Sequence, residues 1–143
     1  MRFLVLTFMF VSVAWFVLPP RATPFDPPPH YRVWWDKTEV CSGLVGDFDA
    51  ITWQVTPDSH FYVAGQWVIG AWSIFLTPSI YLAAPYQNHE MIVRHEMLHD
   101  LIGRPGHPPL FEQCYLTWPT WYTLGRVDYD YRYKRTSQYN ATP

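Results

Sequence analysis

The chain has 143 residues, enough for one domain, with ten Lys+Arg against twelve Asp+Glu and a formal charge of −2. Hydrophobic residues make up 49% and aromatics 19%, which supplies apolar area for a core and argues against global disorder. No basic stripe of the kind a phosphate backbone requires is present, so nucleic acid is a poor partner.

The opening "MRFLVLTFMFVSVAWFVLPP" places Arg2 before an unbroken apolar run from Phe3 to Leu18, stopped by Pro19 and Pro20. Residues 1–18 therefore read as an export signal or an N-terminal membrane anchor, with residues 3–18 as the possible tether. The run is shorter than the ~20 residues of a standard spanning helix, which favours a signal. Either way the expected location is extracytoplasmic: secreted, periplasmic or membrane-anchored. In such an oxidising compartment Cys41 and Cys114 are expected to pair, closing a long loop worth ~4 kcal/mol in the chain-entropy model.

Residues 19–30, including "PPRATPFDPPPH", are too proline-rich for helix or sheet and read as an extended linker. A domain is expected over residues 31–125. Its first segment, "YRVWWDKTEVCSGL", is rich in β-branched and aromatic residues and reads as a strand. "AITWQVTP" reads as a second strand, "HFYVAGQWVIGAWSIFLTP" as further strands bent at Gly65 and Gly70, and "SIYLAAP" as one more. A helix is then expected from about His89 to Ile102, with Asn88 as N-cap, Glu90 at the positive end of the dipole, and Gly103 and Pro105 as terminators. Residues 126–143 alternate charge with Tyr and read as a flexible polar tail. Asn140-Ala141-Thr142 forms a weak glycosylation triplet there.

The expected helix carries His95-Glu96-Met97-Leu98-His99, the pattern H-E-x-x-H. Positions i and i+4 share a helix face, so both imidazoles can reach one ion while Glu96 points toward a bound water. Zinc suits such ligands, at ~2.0–2.1 Å from neutral imidazole nitrogens, and an open position acidifies water. Glu96 is then the catalytic base and acid. A catalytic zinc needs a third protein ligand. His107 is the leading candidate because Gly103, Pro105 and Gly106 let the chain double back; Glu112 is the alternative. Asp100 reads either as a residue orienting a ligand imidazole or as a solvated helix-end group. Asp47 and Asp49 form a weak calcium candidate.

These residues resemble the zincin metallopeptidases, and the metzincin-like arrangement H-E-x-x-H-x-x-G-x-x-H in particular. The sequence here is H-E-M-L-H-D-L-I-G-R-P-G-H, so the glycine falls one residue later and the third histidine two residues later. No methionine follows the third histidine, since the four are Met1, Met9, Met91 and Met97; the methionine turn of that group is absent. Cys41 in "EVCSGL" is faintly similar to the cysteine ligand of peptide deformylases, but the glycine-rich motif of that family is missing.

The zincin resemblance implies an α+β fold, a minimal domain with a small mixed β-sheet packed on the active-site helix. It also implies a Zn2+ cofactor, a peptide or protein substrate, and an edge strand that binds the substrate by strand addition, from Phe61 to Trp67 or from Ile80 to Ala83. The expected activity is thus zinc-dependent peptide-bond hydrolysis. The competing expectations are a non-catalytic zinc-binding structural domain and a metal-free interaction module displaying exposed aromatics.

Overall fold

The structure, a computed structural model, describes residues 21–120. The apolar run, the tail at 126–143 and the Asn140 triplet lie outside these residues. Among the described residues no helix is long and apolar enough to cross a membrane.

The architecture is α+β. A mixed four-stranded sheet has the order β1-β2-β6-β5, built from β1 (Thr23–Pro24), β2 (Thr52–Thr56), β6 (Ser79–Ala83) and β5 (Gly70–Ser73). Strands β2 and β6 run parallel and the other two pairs antiparallel. A separate hairpin joins β3 (Phe61–Val63) to β4 (Gln66–Val68).

The period-2 alternation of β6 sorts the core into two layers. Ile80 and Leu82 face a large cluster with Trp53, the residues of two helices, Phe111 and Leu116. Tyr81 and Ala83 face the opposite way, onto Phe61, Val63 and Val68 of the hairpin. Helix α1 (His30–Ser42) and helix α2 (Glu90–Ile102) share the first layer and pack on one another, and α2 also packs on β5 and β6. Short helices α3 (Leu110–Gln113) and α4 (Trp118–Thr120) follow α2.

Two expectations are corrected. Tyr31–Leu44 is not a strand: His30–Ser42 is helical. Tyr31, Trp34, Trp35 and Thr38 are its buried positions, spaced i, i+3, i+4 and i+7, so a helical stripe prevailed over the strand propensity of its aromatic and β-branched residues. The Pro-rich stretch is extended but belongs to the fold. Thr23 and Pro24 pair with Val55 and Gln54, and proline is tolerated because this is a sheet edge. Phe25 packs edge-on against Tyr31 and Trp53.

Helix α2 lies where expected, but its N-cap is His89 rather than Asn88, without a side-chain cap bond. Its rear is tied to α1 by buried polar groups. Arg94 donates to Thr38 Oγ1 at 3.0 Å and to Glu90 Oε1 at 3.2 Å, and Lys37 reaches the same oxygen at 3.4 Å. Thr38 in turn donates to the Trp34 carbonyl. Burying the Arg94 charge is tolerable because it is paired and hydrogen-bonded.

Cys41 and Cys114 form a disulfide, with Cα atoms 5.7 Å apart and a sequence separation of 73. Cys41 sits on α1, not on a first strand, so the bridge joins α1 to the segment after α3. A thiolate ligand at Cys41 is thereby ruled out. Asp47 caps the turn at Phe48–Ala50 by accepting from Asp49 N, and Asp49 pairs with Arg32; these contacts occupy the two proposed calcium ligands.

Candidate metal centre

His95 and His99 are one turn apart on α2, and the chain reverses after Ile102 to bring His107 to them. The reversal depends on Gly103 and Gly106, with φ of 64° and 89°, a region that residues with a Cβ rarely occupy. One ring nitrogen from each of His95, His99 and His107 lies within 4.8 Å of the others, so the group could hold a metal ion. Glu112, exposed on α3, is outside the cluster.

Backbone carbonyls set the tautomers. His95 Nδ1 donates to Leu116 O at 2.7 Å and His99 Nδ1 donates to Arg104 O at 3.2 Å. A carbonyl only accepts, so each proton sits on Nδ1 and each Nε2 carries the lone pair. His95 Nε2 lies 2.9 Å from His107 Nε2. Burial pushes the His95 pKa down to about 4, against the opposing carbonyl bond, and lowers that of His99 for the same reason. Both rings are therefore neutral near pH 7, the form in which imidazole binds metals.

Phe111 floors the cluster. It is fully buried, and its ring centroid lies 4.7, 4.7 and 4.9 Å from those of His95, His99 and His107. On another side the Trp72 ring lies nearly parallel to His99, 17° between planes, and its Nε1 donates to Asp100 Oδ1 at 2.8 Å. Asp100, half-buried, thus holds Trp72, which flanks His99, and makes no bond to an imidazole among the described residues. Neither Phe111 nor Trp72 carries a motif that sequence reasoning could have used.

Glu96 is 6% exposed. It has no hydrogen bond among the described residues, and burial pushes its pKa up to about 8. Gly70 makes room for it: a Cβ there would fall 2.7 Å from Glu96 Oε1. Beside Glu96 opens a cleft of about 680 Å³, reached by His95, His107, His60, Tyr86, Trp67 and Trp118. His60 had no pattern around it in the sequence and enters the site only through folding.

Of the two expected edge segments, one is an inner strand and the other keeps an open side. Ile80–Ala83 lies in β6, between β2 and β5, and Phe61–Trp67 lies in the hairpin. The strand with an open side next to α2 is β5. Ala83 N donates to Ile69 O at 2.9 Å, which makes this opposed pair a hydrogen-bonded one in a ladder where Gly70 faces Leu82. The antiparallel alternation then turns the main-chain groups of Gly70 and Trp72 away from β6.

Compared with family models, characterised proteins and solved structures, the chain matches none.

Proposed function

We propose that the protein is an exported zinc metallopeptidase, a small and divergent relative of the zincins in kind. The observation that carries this reading is Glu96: a buried carboxyl beside three metal-competent histidines, with no hydrogen-bond partner among the described residues, facing a cleft large enough for a side chain. A carboxylate in that position destabilises the fold, and a purely structural metal site has no use for it.

The donor set fits zinc. Three imidazoles and no further protein ligand in the cluster among the described residues are the set that catalytic rather than structural zinc sites use. Held by His95, His99 and His107, zinc would supply a Lewis acid for a carbonyl and for water, and its charge would favour the ionised form of Glu96. Glu96 takes up the proton released on attack and passes it to the leaving amine. The outward main-chain groups of Gly70 and Trp72 receive an extended peptide by strand addition, in place of the inner strand Ile80–Ala83. Tyr86 is the tyrosine that lines the cleft, which makes its hydroxyl the candidate donor to a developing oxyanion.

The disulfide accords with an oxidising compartment. The alternative, a zinc-stapled structural domain, draws on the same cluster because a metal there would tie α2 to the loop at Arg104–His107. Zinc-loaded protein incubated with a peptide library separates the two readings. The peptidase reading expects cleavage that Glu96→Gln abolishes while zinc remains at one equivalent; a library left intact by the parent overturns it.

A further inference from the structure

From Ser59 to His89 the chain has no Asp, Glu, Lys or Arg, and the β3–β4 hairpin lies inside this stretch. Its outer surface displays Tyr62 and Trp67, 50% and 70% exposed. The two are directly opposed in the ladder, with rings edge to face at 5.5 Å. The inner surface of the hairpin is buried on Tyr81 and Ala83, and Ala22 packs against that same cluster. The chain upstream of β1 therefore meets the fold beside the hairpin.

Upstream lies the apolar run from Phe3 to Leu18. Only four residue steps separate Leu18 from Ala22, a span of at most ~14 Å. A bilayer holding the run lies within that reach of Ala22, and thus of the hairpin. Tyr and Trp are the side chains that suit a membrane interface, since each has an apolar body and a polar tip. The absence of charge removes the desolvation penalty that Lys or Glu would impose there.

A second exposed apolar group, Ile74-Phe75-Leu76, is placed differently. It leaves the sheet at the Ser73–Ser79 end, where Ser79 pairs with Thr52, whereas Thr23 pairs with Val55 at the opposite end of β2. The short connection to Leu18 thus favours the hairpin.

We propose that Tyr62 and Trp67 seat the hairpin in the interface of the bilayer that retains residues 3–18. Because Trp67 and Val68 also line the cleft, the cleft opens beside the membrane surface. Its substrate is then the membrane-proximal stretch of a polypeptide, a consequence that rests on the peptidase reading.

The test uses the full chain in phosphatidylcholine vesicles, with a nitroxide at Tyr62→Cys, Trp67→Cys, Leu76→Cys or Val45→Cys. The two native cysteines are paired, so each variant offers one thiol, at an exposed position. Power saturation compares relaxation by oxygen, which concentrates in lipid, with relaxation by an aqueous nickel chelate. Labels at 62 and 67 are expected to show a several-fold higher oxygen-to-nickel ratio than those at 76 and 45. Equal ratios at all four sites, spin–spin broadening between copies labelled at 67, or a chain recovered from the vesicle-free fraction without residues 1–18 would each overturn the docking. Cleavage of a vesicle-tethered peptide, compared with the same peptide free, is scored separately. If the ratios hold and neither peptide is cut, the docking stands and the peptidase reading fails.

Discussion

Replacing Glu96 by glutamine in metal-free protein should stabilise the fold, increasingly so at higher pH. Burial raises the carboxyl from its ordinary 4.5 to about 8. Below 4.5 both folded and unfolded chains hold the proton, and the group is neutral to stability. Between the two values the unfolded chain releases a proton that the folded chain keeps, so stability falls as pH rises, and the loss is complete above the folded value. At 1.36 kcal/mol per unit, the destabilisation is on the order of 3 kcal/mol at pH 7 and 4 to 5 above pH 8. An amide does not ionise and escapes this loss. The difference between parent and Glu96→Gln isolates the effect, because every other titrating group is common to both. Thermal and urea unfolding with a chelator at pH 5, 7 and 8 should place the variant ahead by on the order of 10 °C or more at pH 8, and by only a few degrees at pH 5. Saturating zinc should shrink the gap, since a cation beside Glu96 favours its charged form. A variant no more stable than the parent at pH 8 would refute the view that Glu96 is held there against its own solvation.

The remaining predictions concern its neighbours. Gly70→Ala pushes a methyl group into the Glu96 carboxylate and should reduce hydrolysis at least ~10-fold with zinc still bound, as measured by turnover and metal content. His107→Ala should weaken zinc on the order of 100-fold or more in a competition titration, whereas Glu112→Ala should leave it unchanged. His95 and His99, depressed by burial, make the metal-free fold lose stability as pH falls below 6.5 toward about 4, because only the unfolded chain then gains the protons; His95→Gln should flatten that limb of the urea-midpoint profile. Reduction of the disulfide, or Cys41→Ala with Cys114→Ala, should cost about 4 kcal/mol in urea unfolding, given its sequence separation of 73.

What the sequence determined by itself was local. The H-E-x-x-H spacing places two imidazoles and a carboxyl on a helix because 3.6 residues make a turn, and the glycines of "LIGRPGH" permit the reversal because they accept positive φ. The cysteine pairing was expected from their number and from reading residues 1–18 as an export signal or anchor, and the strands from Thr52 to Ala83 from their composition. Tertiary structure decided everything that depends on residues distant in the chain. Tyr31–Leu44 has the composition of a strand, yet packing of Tyr31, Trp34 and Trp35 against Trp53 and α2 made it a helix, since burying a stripe of large rings outweighs propensities of a few tenths of a kcal/mol. Phe111 under the histidines, Trp72 beside them, Gly70 against Glu96 and β5 as the open edge have no local signature. Phe111 meets His95 across 16 residues of chain, Gly70 meets Glu96 across 26 and Trp72 meets His99 across 27, contacts that only the closed fold brings together. The carbonyls of Leu116 and Arg104 were equally hidden, though they hold His95 and His99 in the tautomer that leaves the lone pair on Nε2. A main-chain oxygen is present at every residue, and only the fold selects which one an imidazole meets.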